Sequence, residues 1–392
     1  MHVLIAPDSF KESLDAERTA HAIARGVKNG APEAELTLCP LGDGGEGTLE
    51  ALFVASGAER RTLTVQDALG RPRRASWGFI AERRTAIVEL AEASGLQHLT
   101  LDERCALGTS TFGVGELILA ALDEGAERLI LTLGGSATND GGVGMMQALG
   151  MRFENDRGES LPQGGSALSS LARIDTTGVD SRLAGLEVAA AVDVDNPLCG
   201  ERGASAIFGP QKGANPAQVR TLDAALAHLA DISADVLGQD HRETPGAGAA
   251  GGMGFAALAF LGATLRPGIE LVMAQVGFEA ALEKADLVIT GEGRLDGQSL
   301  SGKTPIGVSR AAARAGVPCV VLAGKLDEGW RAAFDEGVTA AFALADGPLS
   351  LQEALAGAER LLVERSESVT RLFQAGRHLS GRGAPSGPNG AE

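Results

Sequence analysis

One short glycine-rich segment carries two acidic side chains that could bind phosphate or a metal ion. In GDGGEGT, residues 42–48, Asp43 and Glu46 flank Gly44 and Gly45, and the segment follows the apolar run ELTLC. Carboxylates bind Mg²⁺, and successive backbone N–H groups of glycine loops bind phosphate oxygens. Because acidic residues also cap helices without any ligand, this segment taken alone would indicate only the start of a helix.

A second segment of the same kind follows another apolar run. GGSATNDGG, residues 134–142, comes directly after RLILTL and places polar side chains between glycines. Its candidate binding residues are Gly134, Gly135, Ser136, Asn139 and Asp140. Because ligands of open α/β sheets bind where strands end, several such loops in one chain favour a phosphate and metal site over simple helix caps.

Two aspartates close a third apolar run. In DVDNP, residues 193–197, Asp193 and Asp195 follow VAAAV. Oxygen ligands of this type suit Mg²⁺, but Asp, Asn and Pro are also favoured in ordinary turns. The segment is therefore predicted equally well as a magnesium site, with Asp193 and Asp195 as ligands, or as a turn.

The segment GQSLSGKT, residues 297–304, fits the phosphate-binding pattern G-x-x-x-x-G-K-[ST] of P-loop NTPases. Six residues, GEGRLD, separate it from the apolar run DLVIT, whereas a P-loop turns almost directly off its strand. Pro305 follows in the first helical turn and removes one N–H donor. We therefore expect Lys303 to lie in an anion-contacting loop at a helix N-terminus, with a purely structural turn as the alternative.

The pattern G-x-G-x-x-G also occurs, as GAGAAG at residues 246–251, but it follows DHRETP rather than a strand. The dinucleotide fingerprint has meaning only within a βαβ unit. We expect these glycines to let backbones pack closely at the start of a helix.

The charge balance limits the partners of this chain. Among 392 residues, 51 acidic and 34 basic side chains give a formal charge of −17. Phosphate backbones require clustered Lys and Arg, so we expect no nucleic-acid partner. The four cysteines form no C-x-x-C pair, and no apolar stretch is long enough for a membrane span. A cytoplasmic protein without a membrane partner is predicted.

Short apolar runs followed by amphipathic stretches must position the glycine-rich loops. These runs are typical of buried parallel strands and lie at 2–6, 35–39, 128–133, 286–290, 318–323 and 339–344. Asp15 is placed to cap a helix that ends near Gly30, and another helix is predicted at about 305–315. Between residues 62 and 93, three runs are spaced like consecutive strands joined by turns.

The order of these predicted strands and helices, together with the length of the chain, predicts two domains, since one ordinary domain has roughly 100–200 residues. Residues 1–60 together with 285–374 are predicted to form one α/β domain, and residues 61–284 a second one inserted into it. The remaining residues, 375–392, are rich in Gly, Ser and Pro and are predicted to be a disordered tail.

Longer stretches of the chain resemble the bacterial glycerate kinase family of the GarK type (type I). They lie in order along nearly the whole chain, as APDSFKESL at 6–14, PLGDGGEGT at 40–48, GGSATNDGGVGM at 134–145, DVDNPLCGERGASAIFGPQKGA at 193–214, GAGAAGGMGFA at 246–256 and DLVITGEGRLDGQSLSGKTPIGV at 286–308. The resemblance implies an ATP- and Mg²⁺-dependent kinase that phosphorylates D-glycerate, in this branch to 2-phosphoglycerate. It also implies an α/β fold with a flavodoxin-like domain, whose parallel sheet is built from both chain ends, and an inserted mixed α/β domain. The alternatives are a kinase for another small hydroxy acid and a glycerate kinase that forms 3-phosphoglycerate.

Residue roles follow from this resemblance and from phosphoryl-transfer chemistry, which requires positioning and charge neutralisation. We expect Asp296 to accept the proton of the glycerate hydroxyl, with Asp193 as the second candidate; an Asp296 that only caps a turn is the alternative. Arg294 is expected to bind the glycerate carboxylate, and Lys303 to act in catalysis. Further substrate and phosphate contacts are expected from Ser9, Lys11, Asp43, Gly44, Gly45, Glu46 and Thr304, and nucleotide contacts from the five residues of 134–142 named above. The oligomeric state stays open, with a homodimer as one option.

Overall fold

The computed structural model describes residues 1–10, 13–41, 57–297 and 299–380. The chain divides into two compact units, one formed by Met1–Leu41 with Gly277–Glu392 and the other by Gly42–Val276. The first unit combines both ends of the chain, and the boundaries lie near residues 41 and 277 rather than near 60 and 285. The strand that begins at Glu59 belongs to the second unit because it pairs with a strand of that unit.

The described residues form both strands and helices. The strands are β1 His2–Ile5, β2 Glu35–Leu38, β3 Glu59–Gln66, β4 Pro72–Ile80, β5 Thr85–Glu89, β6 Arg128–Thr132, β7 Arg152–Glu154, β8 Arg173–Asp175, β9 Glu187–Ala191, β10 Thr264–Arg266, β11 Leu287–Leu295, β12 Cys319–Leu326 and β13 Ala340–Ala343. The α-helices are α1 Ala16–Gly30, α2 Leu90–Ser94, α3 Phe112–Asp123, α4 Val143–Ala148, α5 Ala204–Phe208, α6 Pro216–Leu237, α7 Ala249–Leu261, α8 Gly268–Gln275, α9 Phe278–Leu282, α10 Thr304–Arg314 and α11 Leu351–Ser380. None of these described helices is both long and apolar enough to cross a membrane.

The sheet of the first unit is parallel, with the spatial order β2-β1-β11-β12-β13. Within this unit alone the order is 2-1-3-4-5, which is the flavodoxin-like order. Val320 and Leu322 of β12 pack with α1 and α11, whereas the alternate residues Val321 and Ala323 pack on the side of α10. Because helices cover both faces, these strands read as continuous apolar runs. The predicted flavodoxin-like sheet built from both chain ends is confirmed.

Helix α1 packs against the C-terminal helix α11. Asp15 accepts a hydrogen bond from the Arg18 backbone N–H (2.7 Å) and caps α1, as predicted. Gly26 lies so close to α11 that a Cβ at this position would come within 2.2 Å of the Val363 carbonyl oxygen. A residue with a side chain therefore cannot fit at this crossing without moving one of the helices.

The second unit has a mixed sheet of order β3-β4-β5-β6-β9-β10. Strands β3, β4 and β5 are antiparallel, and β5, β6, β9 and β10 are parallel. The antiparallel part contains the three consecutive strands predicted between residues 62 and 93. Strands β7 and β8 form a separate antiparallel pair. The inserted mixed α/β structure is confirmed.

Helix α11 extends further than the composition of the chain end predicts. It continues past Gln374 to Ser380, so the tail predicted from residue 375 starts too early. Arg377 Nη1 pairs with Asp286 Oδ1 at 2.8 Å, which ties this part of α11 to the start of β11. Adding residues to an existing helix is far easier than starting one, so composition alone misplaced the end. Residues 381–392 lie outside the described residues.

Candidate active site

The carboxyl ends of β1 and β11 lie where the winding of the first unit reverses. From β1 the chain moves outward to β2, and from β11 it moves outward in the opposite direction to β12 and β13. Open α/β sheets bind ligands in the crevice that forms at such a point. The residues that follow β1 and those that end β11 are therefore the first place to look for chemistry in this unit.

Asp8 connects the loop after β1 to the start of α10. Its backbone N–H donates to the Gly291 carbonyl oxygen (2.8 Å). Its Oδ2 accepts a hydrogen bond from Thr304 Oγ1 (3.0 Å), and its Oδ1 accepts one from the Ser9 backbone N–H (2.6 Å). Ser9 and Thr304, both predicted as phosphate or substrate contacts, thus lie on either side of one carboxylate.

Glu292 is a buried acid in the same region. It is 7% exposed, and its Oε1 has no hydrogen-bond partner among the described residues. Burial raises the pKa of Glu292 to about 7; a hydrogen bond from Ser299 and the charge of Lys303 oppose this rise. The negative charges of Asp8 and Asp296 add to it. A carboxyl group that exchanges its proton near neutral pH suits a general acid or base. We call Asp8, Glu292 and Asp296 the acidic cluster.

Arg294 lies between two aspartates at the end of β11. Its Nε pairs with Asp296 Oδ2 at 3.1 Å, and its Nη2 with Asp327 Oδ2 at 2.9 Å. Asp296 Oδ1 also accepts from the Ser299 backbone N–H (3.2 Å), so Asp296 caps a turn as well. To bind a substrate carboxylate with two parallel hydrogen bonds, Arg294 has to release at least one of these partners.

The segment that fits the P-loop pattern has a different geometry. Residues Ser299–Ser301 form a 3-10 helix between β11 and α10, so the chain does not turn directly from strand into helix. Lys303 immediately precedes α10, and Pro305 lies in its first turn, as predicted. Lys303 is close enough to Glu292 for its charge to lower the pKa of that carboxyl group. The cation at this helix start therefore lies next to the acidic cluster.

A cavity of about 370 Å³ lies in the second unit, at the carboxyl ends of β6 and β9. Gly134, Gly135 and Ser136 form part of its wall after β6, and Asp193 forms part of it after β9. The cavity therefore brings together two of the loops that the sequence singled out.

Lys212 lines this cavity and is 1% exposed. Its Nζ donates hydrogen bonds to Ser136 Oγ (2.7 Å) and to the Thr138 carbonyl oxygen (2.6 Å). Burial lowers the pKa of Lys212 to about 7, and the charge of Asp140 acts in the opposite direction. The side chain thus holds the loop after β6 from inside the protein.

Asn139 and Asp140 are buried and bonded within the second unit. Asp140 Oδ2 accepts from the Thr111 backbone N–H and from Thr111 Oγ1, each at 2.8 Å. Burial raises the pKa of Asp140, although these hydrogen bonds oppose the rise. Asn139 Nδ2 donates to Ser205 Oγ (2.9 Å). Neither residue belongs to the described cavity wall, so both shape the loop that Gly134, Gly135 and Ser136 begin.

The GAGAAG segment enters α7 through residues in the left-handed conformation. Ala250 has φ 53°, and Gly251 and Gly252 follow with φ 73° and 93°. A Cβ at Gly251 would lie 2.0 Å from the Thr138 carbonyl oxygen. The prediction that these glycines permit close backbone packing is confirmed for this contact.

The model of the glycerate kinase family matches residues 3–374. A glycerate kinase of Bacillus subtilis is 47% identical over 97% of this chain and 99% of its own length. A glycerate 2-kinase of Escherichia coli is 43% identical over 97% of this chain and all of its own length. A crystal structure described as that of a glycerate kinase 2 from Salmonella typhimurium LT2 matches with a TM-score of 0.86 and 43% identity, over 96% of this chain and 99% of that one.

The chain belongs to the glycerate kinase family. In this member of the family, five predicted site residues lie together in the first unit: Ser9, Arg294, Asp296, Lys303 and Thr304. Gly134, Gly135, Ser136 and Asp193 line the cavity of the second unit. Lys11, Asp43, Gly44, Gly45 and Glu46 lie outside the described residues.

Three residues of this glycerate kinase family member were not predicted as site residues: Asp8, Glu292 and Lys212. Glu292 lies two residues after the apolar run DLVIT, and nothing in GEGRLD shows that the strand β11 continues through it and buries it. Asp8 directly precedes Ser9, which was predicted as a substrate or phosphate contact. Lys212 is one of few lysines in an acidic chain, but nothing in its neighbours GPQ and GA shows that it is buried.

The donor set can be compared with what Mg²⁺ requires, which is often one or two carboxylates together with substrate phosphates. Asp193 lines the cavity, and its Oδ1 accepts from the Gly268 backbone N–H (2.9 Å). Asp195 instead pairs with Arg202 at 3.0 Å and is exposed. No group of three or more His, Cys, Asp or Glu within the described ranges is arranged to hold a metal. A single cavity carboxylate, that of Asp193, is compatible with the one or two that Mg²⁺ takes from a protein when phosphates supply its other ligands.

Proposed function

We propose that this protein transfers the terminal phosphoryl group of ATP to the 2-hydroxyl of D-glycerate, forming 2-phosphoglycerate. The observation that carries the proposal is membership of the glycerate kinase family over residues 3–374. The 2-hydroxyl is proposed because a relative named glycerate 2-kinase is 43% identical over its full length. The acidic cluster beside Lys303 supports the proposal, since phosphoryl transfer needs an acceptor for the hydroxyl proton and a cation for the phosphoryl charge.

Asp296 is proposed to accept the proton of the glycerate hydroxyl. It is largely buried at the end of β11, paired with Arg294. Glu292 is a second candidate, because its unpartnered Oε1 and its pKa near 7 suit proton transfer. Asp193, in the second unit, is the third. Exchange of each for its amide separates these candidates.

The remaining residues are proposed as binding groups. In the first unit, Lys303, Ser9 and Thr304 are proposed to contact the substrate and the transferred phosphoryl group, and Arg294 the glycerate carboxylate. The same proposal covers the predicted contacts that lie outside the described residues: Lys11, Asp43, Gly44, Gly45 and Glu46. Lys303 and Thr304 support it because they stand at the N-terminus of α10, where the helix dipole favours an anion.

Nucleotide contacts are proposed for Gly134, Gly135 and Ser136, with Asn139 and Asp140 shaping their loop. Mg²⁺ bound to the nucleotide would neutralise phosphate charge, and Asp193 is proposed as its protein ligand. Asp195, predicted as a second ligand, would first have to leave Arg202. A reaction that consumes ATP supports a cytoplasmic location.

Two related functions are the alternatives: phosphorylation of another small hydroxy acid, and formation of 3-phosphoglycerate. An enolase-coupled assay separates them. Enolase alone converts 2-phosphoglycerate to phosphoenolpyruvate, whereas 3-phosphoglycerate also needs a mutase. We expect signal from ATP, Mg²⁺ and D-glycerate with enolase alone. A signal that appears only after mutase is added would show that the 3-hydroxyl is phosphorylated instead. ADP release that does not depend on D-glycerate would show that D-glycerate is not the substrate.

A further inference from the structure

The cavity of the second unit is lined by both apolar and polar residues. The apolar lining includes Leu96, Leu133, Val192, Val194 and Phe208. The polar lining includes Ser136, Asp193 and Lys212. Small-molecule sites commonly combine such an apolar lining with a few placed polar groups, in volumes of about 300–1,000 Å³.

The Lys212 ammonium has one unused donor and no directly bonded carboxylate among the described residues, although the charge of Asp140 acts on it. Its two hydrogen bonds go to neutral oxygens, the Ser136 hydroxyl and the Thr138 carbonyl. It makes no ion pair with any carboxylate of the described residues. An ammonium group has three N–H donors, and a buried charge without a counter-charge is costly. An anion entering the cavity would supply both the third acceptor and a directly bonded counter-charge.

One backbone position in the lining of this cavity is strained. Ala250 lines the cavity and holds the left-handed conformation that residues with a Cβ rarely adopt. Residues held in this way cluster at ligand-binding positions, where the surrounding structure enforces them. The strain is independent of the charge on Lys212 and marks the same cavity.

The chemical character of the cavity lining indicates which anion fits. Phosphoglycerate consists of a carboxylate, a hydroxyl and a phosphate, and it has almost no apolar surface to bury against Phe208 and Val194. A nucleotide has both parts, since its base is flat and largely apolar and its phosphates are anionic. Aromatic side chains such as Phe208 stack on bases with little dependence on the base.

We propose that this cavity binds the nucleotide of the kinase reaction, with Lys212 contacting a phosphate group and Phe208 contacting the base. The inference rests on the proposed kinase function for the identity of the ligand as a nucleotide. It adds Lys212 and the apolar lining to the site, and it gives the buried ammonium a directly bonded anion.

Calorimetric titration of the full-length protein tests the proposal with ADP, adenosine and 2-phosphoglycerate as probes. Lys212→Met keeps the apolar stem and removes the charge. We expect its affinity for ADP to fall at least tenfold and its affinity for adenosine to stay within about twofold of wild type. Lys284→Met, which removes an exposed lysine of the first unit, serves as the matched control and should leave both affinities unchanged.

The outcomes separate a phosphate contact from a structural role. Equal losses of ADP and adenosine binding in Lys212→Met would mean that Lys212 only shapes the cavity, and an unchanged ADP affinity would overturn the contact. Loss of 2-phosphoglycerate binding with ADP binding intact would assign Lys212 to the acid substrate instead.

Phe208→Ala tests the apolar lining even if Lys212→Met does not fold. It should weaken ADP and adenosine binding by the same factor, at least fivefold, and unchanged binding would reject the base site. Failure of this inference is distinguishable from failure of the proposed function. If the wild-type enzyme gives the expected signal in the enolase assay while these variants bind ADP normally, only the proposal that the cavity binds the nucleotide is rejected. If ADP binding follows the expected pattern but D-glycerate is not turned over, only the proposed glycerate kinase function is rejected.

Discussion

Replacement of Glu292 by Gln should stabilise the first unit while impairing the reaction. Gln has the shape of a protonated Glu and carries no charge. It therefore removes the free-energy cost of burying a carboxylate, which at Glu292 is 7% exposed and feels the negative charges of Asp8 and Asp296. Residues that reduce stability but are kept in place are expected where function requires them. Glu292→Gln therefore tests whether this acid acts in the active site or is only part of the buried core.

The magnitude follows from the pKa of Glu292, which rises from its usual 4.5 to about 7. Below pH 4.5 the carboxyl group is protonated in both the folded and the unfolded chain, so Glu and Gln should be equivalent. Between pH 4.5 and about 7 only the folded chain keeps the proton, and the stability of the wild type falls as pH rises. Each tenfold change in the proton equilibrium corresponds to about 1.4 kcal/mol. The free energy of unfolding of Glu292→Gln should therefore exceed that of the wild type by about 1 kcal/mol at pH 5 and by about 3 kcal/mol at pH 8.

Urea unfolding at pH 5 and pH 8 measures this difference. The chain has two tryptophans, and in a Trp77→Phe background the fluorescence of Trp330 reports on the unit that contains Glu292. Glu283→Gln, an exposed glutamate of the same unit, should change the free energy of unfolding by less than about 0.5 kcal/mol at either pH. A gain from Glu292→Gln that is equal at pH 5 and pH 8 would refute the buried-carboxylate reasoning.

Asp296→Asn should lower kcat about a hundredfold while nucleotide affinity stays near wild type, because the amide keeps the shape and loses the basic oxygen; near-normal kcat together with an inactive, folded Asp193→Asn would move the base to Asp193. Lys303→Ala should lower kcat/KM at least tenfold, about 1.4 kcal/mol of transition-state stabilisation, and steady-state kinetics at wild-type level would place the phosphate elsewhere. Gly26→Ala should destabilise the first unit by about 2–3 kcal/mol, because its Cβ would meet the α11 backbone. The control is Gly357→Ala, which is also in a helix but has nothing closer than 3.8 Å to the new Cβ; it should stabilise the first unit by about 0.5–1 kcal/mol in the same unfolding assay. Changes of the same sign in the free energy of unfolding of both variants would contradict the packing argument.

Much of the fold could be predicted from the sequence because parallel strands covered on both faces read as unbroken apolar runs. The runs that became β1, β2, β6, β11 and β12 were all predicted, as was the cap at Asp15. The spatial order of the strands came from resemblance to a family, since apolar runs alone do not state which strands are neighbours. Local pattern also failed at the end of α11, where a helix already formed outweighed a glycine-rich composition.

The candidate site could be predicted where it lies in loops and not where it lies in the interior. Ser9, Asp296 and Lys303 stand among turn residues after strands, which is a visible pattern. The properties of Glu292 and Lys212 depend on burial and on the charges of distant neighbours. Burial of a single charged side chain is a tertiary property, because the spacing of residues in one segment does not show what packs over it.

The position of β1 in the middle of its sheet has a consequence for synthesis of the chain. One neighbour, β2, follows soon after it, but the other is β11, and the bond from Thr290 Oγ1 to the Ala6 carbonyl oxygen joins residues 284 positions apart. A ribosome adds about 5–20 residues per second, so this apolar strand waits roughly 15–60 s for its second partner. The whole of the second unit emerges during that interval and can fold first. Residues 1–41 are thus the first part of the protein to be made and among the last to reach their native pairing, which makes them the segment that a nascent-chain chaperone would have to protect.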